Sequence, residues 1–192
     1  VKMRFWYPSN GYTFQPGDAK YEDINHDGNI NYQDIVYLGD VNPLLTGGFG
    51  PTIRFKKMLT LNAYFYYRYG CEVINQTRMD MEKMYDFNNQ STAVLRRWKN
   101  PYEDPSTAPA DILPRALMGK GYNWLGSSRY VEDGSFLRFK SVTLTYNFEK
   151  ELVKKFGLND LKLWATMQNI YIWTNYTGMD PEISLRAAIK SG

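Results

Sequence analysis

Two stretches, SFLRFKSVTLTYNF (residues 135–148) and LKLWATMQNIYIWTNY (residues 161–176), set the pattern of the chain. In the first, Val142, Leu144, Tyr146 and Phe148 fall on one side of an extended backbone. Ser141, Thr143, Thr145 and Asn147 fall on the other. A period of two predicts strands of a sheet with one apolar and one polar face. The polar face is rich in hydroxyls and nearly uncharged, as suits a wall against confined water. TGGFGPTIRF (46–55) and LTLNAYFYYRY (59–69) form a second strand pair over a turn at Lys56-Lys57-Met58. Leu59, Leu61, Ala63, Phe65 and Tyr67 share one face of the latter strand. Thr60, Asn62, Tyr64, Tyr66 and Arg68 share the other.

Between these strands, long and short connections alternate. Residues 1–45 are rich in turn formers, and 70–134 carries a helix or two before the proline-rich KNPYEDPSTAPADILP. The connectors at 56–58 and 149–160 are short, and 177–192 reads as loop. Outer-membrane barrels alternate short periplasmic turns with long outer loops in this way. Strands of roughly ten to thirteen residues, tilted by about 45°, cover roughly 24–31 Å, close to the apolar band of such a barrel. The expected fold is therefore all-β: part of a transmembrane antiparallel barrel. The expected layout is an outer loop (1–45), a spanning hairpin (46–69), a long outer loop (70–134), a second spanning hairpin (135–176) and a last outer loop (177–192). Four strands cannot close a barrel, so the reading calls for strands from outside this sequence. A soluble antiparallel sandwich satisfies the same periodicity.

Composition narrows the choice. Aromatics are 16% of 192 residues, with 16 tyrosines, yet mean hydropathy is −0.52. Such a balance suits surfaces wet at one end and apolar at the other, as in sugar clefts or membrane-interface girdles. Tyr171, Trp173 and Tyr176 fit a girdle. Net charge of +3 gives no case for nucleic acid. The single cysteine excludes an internal disulfide, and no stretch approaches the ~20 apolar residues of a membrane helix. Val1 opens directly onto KMRFWYP without a signal-peptide pattern, so an exported protein would begin upstream.

DINHDGNINYQD (residues 23–34) places oxygen-bearing side chains at loop positions one, three, five and twelve: Asp23, Asn25, Asp27 and Asp34. Gly28 stands at six and Ile30 at eight, the EF-hand calcium pattern with Asp in the closing place. Asn29 would add its carbonyl, and Asn31 would act directly or through water. The bland alternative is an Asx-rich surface turn. The only histidine, His26, sits inside this loop, so no nucleophile–base constellation can be assembled and no enzyme is expected. Trp98, Tyr102, Tyr122, Trp124 and Tyr130 are candidates to face a ligand from the 70–134 loop; packing of that loop on itself is the competing reading.

In order along the chain, several segments resemble the C-terminal barrel region of SusC/RagA-family TonB-dependent outer-membrane transporters. They are YEDINHDGNINYQD, GDVNPLLTGGFGPTIRFKKMLTLNAYFYYRYGCEVIN, SRYVEDGSFLRFKSVTLTYNF and LKLWATMQNIYIWTNYTGMDPEIS. The last carries Gln168-Asn169 and Asp180-Pro181-Glu182. The resemblance implies about four C-terminal strands of a 22-stranded barrel in the outer membrane of a Gram-negative cell. It also implies a plug and energy from the TonB complex through an N-terminal region absent here. A SusD-like lipoprotein lid and import of oligosaccharides or oligopeptides follow in the same way. LRAAIKSG stands where that family's final strand is expected. The competing functional reading is a soluble, calcium-stabilised β-rich carbohydrate-binding module.

Overall fold

The computed structural model describes residues 12–99, 109 and 111–182, together with the backbone of residues 4–5. The chain divides into two compact units. One combines Val1–Leu38 with Ile74–Val131; the other combines Gly39–Val73 with Glu132–Gly192.

The second unit is built on one antiparallel sheet. Its strands are β4 (Leu45–Phe49), β5 (Thr52–Phe55), β6 (Leu59–Tyr69), β9 (Phe136–Asn147) and β10 (Lys162–Thr174), in the order β10-β9-β6-β4 with β5 also on β6. The single strand expected over 46–55 is interrupted at Gly50-Pro51, because proline has no amide to give the ladder. The register is nonetheless unshifted: Phe49 pairs with Phe65 and Thr52 with Asn62, and the Ala63 amide donates to the Pro51 carbonyl at 3.1 Å. Pro51 is tolerated because this is an outside strand of the sheet.

Register converts the alternation into two faces. Ile53, Leu61, Leu144 and Ala165 form one row of the apolar face; Phe49, Phe65, Phe139 and Tyr171 form another. Phe65 stacks on Phe49 at 5.1 Å and on Phe139 at 4.6 Å between centroids. Among the described residues nothing covers this face: Ile53 is 60% exposed, Leu163 65% and Met167 60%. The opposite face carries Thr52, Asn62, Thr143 and Thr166 in one row, with the Thr143 and Thr166 hydroxyls 3.0 Å apart. Trp164 lies on this polar side, in the row of Thr60 and Thr145.

A bulge preserves the faces where the sequence pattern breaks. Ser141 pairs with Tyr64 and Gln168, whereas Phe139 pairs with Phe65 and Tyr171. Lys140 is thus extra in β9 against β6, and two residues of β10, Asn169 and Ile170, stand opposite it, with Asn169 at φ +51°. Strict alternation would have put Phe136, Arg138 and Lys140 with Val142. The bulge instead turns Leu137 and Phe139 to the apolar face and Arg138 to the polar one.

Both short connections lie at the same end of the sheet. In the turn Phe55–Met58, Lys56 and Lys57 both have left-handed backbones (φ +48° and +58°), the geometry of mirror-image hairpin turns. The second connection holds α2 (Lys150–Lys154), whose Val153 is buried.

The first unit is mostly irregular backbone with little regular structure. The described elements are β1 (Arg4–Phe5), β2 (Tyr12–Thr13), β3 (Asn29–Ile30) and α1 (Gln76–Glu82), with short 3-10 turns. Residues 1–38 and 74–131, separate loops in the sequence reading, fold together as one body. Its core contains Ile30, Met84, Trp98, Leu113, Leu117 and Tyr130. Gly17, at φ +88°, lies flat against the Trp98 indole, where an added Cβ would collide with the ring. β7 (Glu72–Ile74) and β8 (Val131–Asp133) pair as a two-stranded sheet. Among the described residues no helix is long and apolar enough to cross a membrane, which says nothing of strands.

Candidate functional site

The acidic loop closes on itself by main-chain bonds to its own acids. The Gly28 amide donates to Asp23 Oδ2 at 2.8 Å, and Asn29 to Asp27 Oδ1 at 2.7 Å. The two ends meet through Asp34, which accepts from Ile24 at 3.0 Å and from Asn31 at 2.7 Å. Asn31 in turn caps the 3-10 turn Tyr32–Asp34 by accepting from Gln33. Asn25 Oδ1 accepts from the Asp27 amide, while its Nδ2 donates to Asp27 and Gln33. Gly28 has φ +81° and open space where a Cβ would be, so conformation is what the glycine supplies here. Ile30 is buried, fixing the back of the loop.

The arrangement fits a hard cation at one point in particular. Asp23 is 7% exposed and its Oδ1 has no hydrogen-bond partner, a buried carboxylate oxygen left over after Oδ2 is used. An orphaned oxygen of this kind is costly unless something positive meets it. No cluster of three His, Cys, Asp or Glu side chains suited to a metal occurs among the described residues. The asparagine oxygens would therefore have to complete any shell around Asp23, Asp27 and Asp34. Exposed Asp27 is held below its ordinary value, first by the Asn29 amide.

The aromatic candidates divide by burial. Trp98 and Tyr130 are 6% and 1% exposed, the most buried of the four that are described. They are core residues of the first unit, and Trp98 also lines the groove beside it. Tyr122 and Trp124 remain half-buried. Tyr122 meets Tyr12 edge-on at 5.6 Å and accepts a 2.6 Å hydrogen bond from Tyr21 at its carbonyl. Trp124 meets Tyr85 at 5.5 Å. Tyr102 lies outside the described residues. Beside them an open groove of about 1050 Å³ runs past Tyr21, Ile24, Ile35, Arg78, Glu82 and Leu125.

Sequence reasoning missed the polar knot beneath this cluster. Asp18, with a side chain only 1% exposed, receives Arg115 Nε on Oδ1 at 2.6 Å and Nη2 on Oδ2 at 3.2 Å. Tyr12, Asn123 and the Gln15 amide also donate to it. Burial by itself would raise this carboxyl, but the bonds from Arg115, Gln15, Tyr12 and Asn123 together outweigh burial and hold it below the usual range. Nothing local in the sequence joins residues 97 positions apart.

On the second unit, Tyr171 and Trp173 lie on the exposed apolar face with their rings 4.8 Å apart. Tyr176 is instead half-buried. Arg138, 8% exposed on the polar face, donates through Nη2 to Asp180 at 2.6 Å. Its Nε lies 3.0 Å from Glu182 Oε2 without hydrogen-bond alignment.

Comparison with known proteins agrees with this architecture. No protein-family model matches the chain. TonB-dependent receptor P26 of Formosa agariphila is 34% identical over 171 residues, covering 86% of this chain and 16% of the relative. TonB-dependent receptor SusC of Bacteroides thetaiotaomicron is 28% identical over 188 residues, covering 92% of this chain and 16% of the relative. Among solved structures, the RagAB peptide importer in its closed-closed state superposes with a TM-score of 0.64 at 25% identity, over 90% of this chain and 18% of that one. The chain thus spans about a sixth of the length of the relatives it matches, and none of these is an enzyme by name. Its open sheet corresponds to an arc of a transporter barrel. By sequence and by strand arrangement, the chain is related to one segment of the TonB-dependent receptors of the SusC and RagA type.

Proposed function

We propose that this chain forms a C-terminal part of the wall and outer loops of a TonB-dependent importer in the outer membrane of a Gram-negative cell. The observation that carries the reading is the uncovered apolar face of a sheet whose other face is hydroxyl-lined. Contiguous apolar surface of this size is unfavourable in water and favourable in lipid. The cargo is an oligosaccharide or oligopeptide, taken with a SusD-like lipoprotein lid; the SusC and RagAB likenesses support both. Tyr122 and Trp124 are its proposed contacts from the loop unit. The loop at residues 23–34 holds Ca2+ through Asp23, Asn25, Asp27, Asn29, Asn31 and Asp34, a reading supported by the orphaned Asp23 oxygen.

A soluble carbohydrate-binding module would have to hide Ile53, Leu163 and Met167, and none of the described residues covers them. Fractionation of cells expressing the full-length protein decides between the two. Recovery in the outer membrane, released only by detergent, is expected; recovery in the soluble periplasm would overturn the proposal. For calcium, chelation should lower the melting temperature of the full-length protein, and Asp23→Ala should abolish that response. An unchanged melting temperature on chelation would leave the loop as an Asx-rich turn.

A further inference from the structure

The segment after β10 does not run free. It is fastened at successive points: to the residue before β9, to β8, and at Arg138 to the polar face of the sheet. Thr174 Oγ1 donates to the Ser135 carbonyl at 2.9 Å, and the Tyr176 amide donates back to Thr174 Oγ1 at 3.1 Å. Thr177 donates its amide and its hydroxyl to the Glu132 carboxylate, each at 2.8 Å. Then Asp180 takes the Arg138 guanidinium at 2.6 Å, and the same Oδ1 accepts the Glu182 amide at 2.9 Å. Pro181 is buried between these two acids, whereas Met179 is 85% exposed.

Register fixes which side this is. Arg138 pairs with Tyr66 and Ile172, on the face that continues the threonine rows, and the β9 bulge at Lys140 is what puts it there. A guanidinium that is 8% exposed and held by two carboxylates is a fastening with large consequences if one side is removed. Arginine's planar fork suits two acceptors in a way a lysine ammonium does not.

We infer that residues 175–182 form a fixed strap across the polar wall, with Arg138 as its positioning residue, and that the strap narrows the water-filled passage at the long-loop end. The inference rests on the barrel reading above, which makes the polar face the lumen. The strap differs from an ordinary outer loop, because its bonds run inward to the wall.

The test uses the full-length protein with Arg138→Gln and Asp180→Asn. Amide hydrogen exchange in detergent should show protection at Thr177 and Glu182. Arg138→Gln should lose it at Glu182 by at least severalfold while β9 and β10 keep theirs. Cells carrying Arg138→Gln at normal outer-membrane abundance should become more sensitive to vancomycin, a glycopeptide too large to cross that membrane unaided. If Arg138→Gln fails to assemble, the milder Asp180→Asn carries the same comparison. Strap amides unprotected in the unaltered protein would overturn the inference, as would protection lost equally along β9 and β10. Lost strap protection with unchanged vancomycin sensitivity would overturn the narrowing role. Failure of the barrel reading is distinguishable, since it would show as a soluble protein in fractionation.

Discussion

The two units of this chain hold together by opposite means. The loop unit has an inside: Asp18, Asn123, Trp98 and Tyr130 are buried, and its charges are met by partners far along the chain. The sheet unit has almost none. Its large apolar residues face outward, and its buried positions, such as Arg138, Thr145 and Phe136, lie on the polar side. The lesson is that apolar content alone does not say where a core is. Here the loop unit closes over a small apolar core pinned by buried polar bonds, and the sheet leaves its apolar side for a solvent other than water.

Substitutions should separate the two modes. The largest effect is expected in the loop unit: Asp18→Ala leaves Arg115 without its buried partner, at a cost of about 3–5 kcal/mol. Urea denaturation of the full-length protein, followed by Trp fluorescence, should show the loop transition shifted with the strand transition in place. The same pair gives an acid signature. Because the folded Asp18 carboxyl is held below its ordinary value, its contribution is fully present above the unfolded value of about 3.9. It is lost as pH falls through the folded value, so the loop transition should weaken in acid and Asp18→Asn should remove most of that dependence.

Next in size is the contrast between faces of β9. Leu144→Arg should cost about 2–4 kcal/mol for a lipid-facing site near the bilayer centre. Thr143→Arg, one residue away on the polar side, should cost far less. Folding into vesicles measures both, and equal costs would erase the distinction between the faces. The smallest effect belongs to the turn. Lys57 has a left-handed backbone that costs roughly 1–2 kcal/mol without glycine, so Lys57→Gly should stabilise the β5–β6 hairpin by about 1 kcal/mol. Lys57→Val should do the reverse.

Much of the sheet could be read from residues alone, because each of Val142, Leu144 and Tyr146 announces its face by its neighbours. The part of β9 before Lys140 could not. FLRFK has no local sign of a bulge, and only pairing with Tyr64 and Phe65 shows that Lys140 is extra. Pro51 was visible, but that it would interrupt the strand without shifting its register depends on Ala63 opposite. The acidic loop was legible down to its glycine. The Asp18–Arg115 knot was not, since residues 97 apart carry no periodic signal. The burial of Trp98 and Tyr130 is hidden for the same reason: an aromatic in a polar stretch looks available until the fold closes over it.

The central claim is that the two faces of this sheet meet different solvents. Spin labels placed singly at Leu144 and Thr143 in the full-length protein, reconstituted in lipid, test it most directly through collision with oxygen and with a water-soluble nickel chelate. The account predicts oxygen-dominated relaxation at position 144 and nickel-dominated relaxation at position 143. Nickel access at both positions, or the reverse assignment, would contradict it.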